Sequence, residues 1–132
     1  MTGLQPILRS PAYLTLAKLI LTSMFWFSGF AKLIDFQGTV EEFQHFNLYP
    51  AGALVFIVIV ILLIGSILAI WGGHHAWIGA GALAFFTLLT IPIAHDFWNM
   101  TGTEAFKEKL VVMEHLTVVG ALMLMAPAEG KP

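Results

Sequence analysis

Four apolar runs, each near the ~20 residues a helix needs to cross a bilayer, leave this chain few ways to fold. They cover Tyr13–Ile34, Ala51–Trp71, Ala76–Ala94 and Leu110–Ala126. The last is the shortest and is expected to borrow a turn from Ala105–Lys109. Backbone polar groups in lipid must be satisfied within their own segment, so runs of this kind become helices. The chain has 132 residues, which leaves little outside the runs for a soluble domain. The expected fold is an all-α membrane protein: a single four-transmembrane-helix bundle over residues 1–132, with a short amphipathic connector between the first and second spans. The first run exceeds the ~7–15 apolar residues of a signal-peptide core. It also carries Lys18 and Lys32, so it reads as a retained helix.

Composition narrows the chemistry. Charged residues make up 11% of the chain, against roughly 25% in soluble domains. A net charge of −2 gives no basis for nucleic-acid binding. The absence of cysteine removes disulfides, thiol redox chemistry and iron–sulfur ligation. The lipid bilayer is the one partner composition demands.

Within the first run, Lys18, Thr22, Phe25, Gly29 and Lys32 recur at helical spacing and share one face. A stripe holding two lysines, a threonine and a glycine should face other helices. Lys18, one turn from an end, can snorkel to the interface. Pro6 and Pro11 discourage helix in the lead-in, and Pro11 suits the entry to the first helix. Thr39–Phe46 reads as the amphipathic connector, with Val40, Phe43 and Phe46 on one side, and His45 as a solvated loop residue. Gly65, Ser66 and Ala69 in the second span, and Ala76, Ala80 and Ala84 in the third, mark faces for close helix contact. His74 and His75 fall on a Gly-Gly turn between Trp71 and Trp77 and read as solvated.

Four crossings would gather the remaining polar residues. Lys32 and Asp35 end the first span, His95, Asp96 and Trp98 follow the third, and Glu114 and His115 lie a turn inside the fourth. Lys32, His95, Asp96, Trp98, Glu114 and His115 are therefore candidates for one polar, ligand-binding layer near one membrane face. Ionisable groups at membrane depth face the bundle interior and find partners, and Lys32 with Glu114 is the expected pair. His115 lies about 100° around the helix from Glu114, so the two point in different directions. His95 is its expected neighbour. Basic residues divide evenly: Arg9, Lys18 and Lys131 flank one side, and Lys32, Lys107 and Lys109 the other. Membrane orientation therefore stays open.

Ser28-Gly-Phe-Ala-Lys-Leu33, Asp35-Phe-Gln-Gly-Thr-Val40, the Pro before the second span, the Gly near Leu68–Gly72 and Ala94-His-Asp-Phe-Trp-Asn-Met-Thr-Gly102 together resemble the DoxX/DoxD family, most of all its YphA-like bacterial branch. The resemblance covers nearly the whole chain. It implies a multi-pass, four-helix protein of the bacterial inner (plasma) membrane, usually described as an oxidoreductase. It also implies a quinone connection, since DoxD-type proteins form the membrane subunit of an archaeal thiosulfate:quinone oxidoreductase. Such proteins usually carry a Glu early in the second span and a Lys-Asn pair in the fourth. Here the second span is apolar around Val60–Leu62, and the fourth has Glu114-His115.

The leading functional expectation is a redox-associated subunit binding a quinone or similar lipid-soluble molecule at the polar layer. Imidazole and carboxylate groups hydrogen-bond such molecules and relay protons. No cofactor is expected within the chain, so electrons would come from partner subunits of a membrane redox complex. The alternative is a non-catalytic accessory or assembly subunit, or a homo-oligomer. A haem or metal bundle using His95 and His115 is less favoured, because no metal-specific spacing is present. A transporter of small lipophilic solutes, which would need an oligomer, is a fourth reading.

Overall fold

A computed structural model describes residues 3–127; Lys131, counted above among the basic flanks, lies outside them. The described residues form six helices and no strand: α1 Gln5–Leu8, α2 Pro11–Ile34, α3 Phe36–His45, α4 Ala51–Trp71, α5 Ala76–Ala94 and α6 Gly102–Met125. The all-helical expectation holds. Three segments are long and apolar enough to cross a membrane: Pro11–Ile34, Ala51–Trp71 and Gly73–Asn99. The helix α6 is also long, at 24 residues. Every 18-residue stretch of it, however, contains Glu108, Lys109 and Glu114.

Local chemistry sets the boundaries. Pro6 lies in the first turn of α1, where a missing N–H costs nothing, so the lead-in is helical despite its prolines. Ser10 caps α2, its Oγ accepting from the Tyr13 N–H at 3.2 Å, with Pro11 as the first helical residue. Asp35 then caps α3 by accepting from the Gly38 N–H at 3.1 Å. The connector helix therefore starts at Phe36, ahead of the Thr39 expected from amphipathicity. Gly72, at φ 80°, ends α4. Exposed His74 and His75 occupy the 3₁₀ turn between α4 and α5, in agreement with their reading as solvated turn residues.

The long helices pack in the order α2, α4, α5, α6, with α3 laid against α4. The α2 stripe is as read: Thr22, Phe25 and Gly29 are buried, with Lys18 and Lys32 half-buried above and below them. Gly65, Ser66 and Ala69 of α4 face Ala76, Gly79, Ala80 and Leu83 of α5. The tightest point is Gly79, where an added Cβ would sit 2.5 Å from the Ala69 nitrogen and the Gly65 oxygen. Lipid tails are as apolar as leucine, so close packing of this kind is what holds helices together in a bilayer. The hydroxyls of Thr22, Ser66 and Thr87 are buried, and each donates to a carbonyl one turn back at 2.6–2.7 Å. None is left unsatisfied. Phe25, Leu62, Ala69, Ala80, Leu83 and Leu122 form a core drawn from all four long helices.

Candidate functional site

The core fills the middle of the bundle, between Phe25 and Leu62 on one side and Ala69 and Leu122 on the other. At the end where α2 finishes and α6 starts, the helices leave a cavity of about 580 Å³, within the size range of small-molecule sites. Its wall is mostly apolar: Met24 and Phe25 of α2, Ile57, Val58, Ile61 and Leu62 of α4, and Phe86, Leu89 and Ile93 of α5. Phe43 and Phe46, with Leu48 just beyond, bring the apolar side of α3 and its exit over the opening. The connector is thus part of the wall.

Few polar side chains interrupt this surface, and most are satisfied locally. Thr87 and Thr90 donate to carbonyls of their own helix, and Glu42 is exposed at the rim. The other polar lining residues are Ser28, Lys32, His95 and His115. Lys32 Nζ donates to Ser28 Oγ at 3.1 Å, one turn back on α2. Among the described residues no carboxylate pairs with this ammonium.

The two histidines meet across the α5–α6 junction. His95 caps α5, its backbone N–H bonded to the Ile91 carbonyl, and the chain then turns through Phe97–Asn99 into α6. The His95 ring packs edge-on against His115, with centroids 4.8 Å apart and planes at 67°. His95 Nδ1 lies 2.6 Å from Glu108 Oε2, and His115 Nδ1 lies 2.8 Å from the Val111 carbonyl oxygen. Carboxylate and carbonyl oxygens only accept, so both Nδ1 atoms carry the proton and donate it. With Nδ1 engaged in this way, the free position of each ring is Nε2, which accepts when the imidazole is neutral.

Of the six candidate residues, Lys32, His95 and His115 line the cavity, and Asp96, Trp98 and Glu114 do not. Asp96 accepts from Asn99 Nδ2 at 3.0 Å within the turn, and Trp98 is exposed, packed edge-on against Phe97. Asp35 is occupied in capping α3. The expected Lys32–Glu114 pair does not form. The inward face of α6 carries Glu108, Val112, His115 and Leu122, and Glu114, about 100° away from His115, is exposed. The acid that meets the histidines is Glu108, in the Ala105–Lys109 turn ahead of the fourth apolar run and not among the six candidates. Its signal was available: Glu108 precedes His115 by two helical turns and shares its face. Among the described residues no cluster of three or more metal-ligating side chains is present.

The DoxX family model matches residues 13–96 of this chain. The match ends just after His95, so Glu108 and His115 lie beyond it. Inner membrane protein YphA of Escherichia coli (strain K12) is 28% identical over 116 residues, spanning 88% of this chain and 82% of that protein. No solved structure matches. Together with three helices of spanning length and composition, these similarities make the chain an integral inner-membrane protein.

Proposed function

This chain belongs to the DoxX family, and on that premise we propose that it crosses the membrane four times and holds a lipid-soluble, quinone-type molecule in its cavity. The observation that carries this reading is the cavity itself: an apolar wall carrying an ammonium and two imidazoles, each held through Nδ1. A planar ring and short tail would rest against Phe43, Phe46 and Ile57. Lys32 would donate to an oxygen of the head, and the imidazoles would take its other polar edge. The chain offers no redox cofactor motif, so electrons would pass to or from a partner subunit.

Selectivity would come from the polar contacts. A ligand arriving from lipid gains little from an apolar wall, because the tails it leaves are equally apolar. Leaving one buried donor or acceptor unpaired costs about 1–3 kcal/mol, or about five- to 150-fold in affinity. The test is titration of the purified chain in lipid nanodiscs with a short-tailed benzoquinone and its quinol. Saturable binding of at least one form is expected, weakened about tenfold by Lys32→Met. No saturable binding of either form by the wild type would reject the proposal.

A second reading has its own observation. Glu114 is exposed on the outer face of α6 between Met113 and Leu116, where an ionisable group in a membrane ordinarily meets a partner. Contact with another subunit, or with a second copy, would supply one. Native mass spectrometry from mild detergent distinguishes this reading, with a lone monomer counting against it.

A further inference from the structure

Resting on that reading of the cavity, we infer that its preferred occupant is the reduced, hydroxyl-bearing form of the ligand: a hydroquinone- or phenol-type head that donates hydrogen bonds to His95 and His115. The argument is one of donor and acceptor inventory. His95 Nδ1 donates to Glu108 Oε2 at 2.6 Å, and His115 Nδ1 donates to the Val111 oxygen at 2.8 Å. A neutral imidazole with its proton on Nδ1 offers only a lone pair at Nε2. Neither Nε2 has a partner among the described residues. The two rings pack edge-on at 4.8 Å, and turning either over would break its Nδ1 hydrogen bond.

With both imidazoles neutral, the histidine side of the cavity presents acceptors, and the Lys32–Ser28 side presents donors. A quinone has only carbonyl oxygens, so it satisfies Lys32 and sets lone pair against lone pair at the imidazoles. A quinol satisfies both sides: a hydroxyl hydrogen goes to Nε2, and an oxygen accepts from Lys32 Nζ. A quinol dimethyl ether retains the acceptors and the ring but has no hydrogen to give. Glu108 touches no ligand in this scheme. It is a positioning residue, holding His95 in the tautomer that accepts.

Two measurements test this on the full chain in nanodiscs under anaerobic conditions. The first compares binding of a short-tailed benzoquinol, its dimethyl ether and the parent benzoquinone. The quinol is expected to bind at least about tenfold more tightly than either of the others, with His115→Phe narrowing that gap. Equal binding of all three overturns the donor preference while leaving the cavity reading intact, whereas no binding of any of them defeats the cavity reading itself. The second is ¹⁵N NMR of the histidine rings in the unliganded wild type, which depends on no variant folding. Pyridine-like Nε2 signals for His95 and His115 are expected, with His95 losing its single tautomer in Glu108→Leu and retaining it in Glu108→Asp. Protonated Nε2 on either ring of the wild type overturns the inference.

Discussion

Glu114 and His115 are adjacent in sequence, yet they serve different sides of α6. The angular step of about 100° per residue puts His115 on the cavity wall and leaves Glu114 exposed. Side chains on separate faces with no shared partner contribute independently to stability. Glu114→Gln is therefore expected to leave unfolding unchanged or to stabilise, since it removes no intramolecular partner among the described residues and takes an ionisable group off the membrane-facing surface. Combined with Lys32→Met, it should add to that substitution's effect within about 0.5 kcal/mol. Thermal unfolding of the single and double variants in one detergent measures the coupling; rescue of one change by the other would restore the discarded ion pair. Much at this scale was legible. The α2 stripe from Lys18 to Lys32 needed only helical spacing, as did the divergence of Glu114 and His115. Glu108 was missed because the Ala105–Lys109 turn was weighed only as added length for the fourth run. The face that its carboxylate shares with His115, two turns on, was not followed back into it.

At the scale of elements, the bundle depends on how closely α4 and α5 approach. Gly79 packs against backbone atoms of Ala69 and Gly65, where an added methyl would have to push two helices apart. Gly81, two residues on, has nothing within 4 Å of its Cβ position. These sites form a matched pair on one helix. Gly79→Ala should cost about 1–3 kcal/mol by overpacking. Gly81→Ala should be neutral or stabilising by up to about 1 kcal/mol, since it only restricts the unfolded chain. Equal effects in thermal unfolding would show that the α4–α5 contact is not the tight one. The Ala76–Ala80–Ala84 spacing pointed to this face correctly but not to its closest point. Gly79 lies beside Ala80, and which of two neighbouring small residues meets the partner backbone depends on the crossing geometry. For α3, Thr39–Phe46 was readable from amphipathicity. Its earlier start follows from the Asp35 cap, a signal present in the sequence and not weighed there.

For the whole molecule, the convergence of Lys32, His95 and His115 on one end was foreseeable and the cavity was not. Four apolar runs connected in series bring Lys32 and His95 to one end whatever their side chains do. A cavity is the space left when the ends of those helices stay unfilled, and no residue type announces it. The same connectivity bears on whether α6 crosses the membrane. His115 lies at the cavity end, whereas Leu122 is fully buried in the core with Phe25, Ala69 and Ala80. Lys18 Nζ, near the start of α2, sits beside Gly72 at the opposite end. The helix thus runs antiparallel to α5 between the two ends. Its apolar part, Leu110–Met125, spans about 24 Å at ~1.5 Å per residue, short of the ~30 Å hydrocarbon core. If α6 crosses, snorkelling by Lys107 and Lys109 would bridge a deficit that costs fractions of a kcal/mol per Å. Because the chain lacks cysteine, single cysteines at exposed positions report sidedness without background. Gly3→Cys and His74→Cys should react with a membrane-impermeant maleimide from one side, and Gln44→Cys and Glu104→Cys from the other. Pro127→Cys decides the fourth crossing: it should label with Gly3 and His74. If it labels with Gln44 and Glu104, α6 returns to the side it started from, and the histidine wall of the cavity is built by a helix that does not cross.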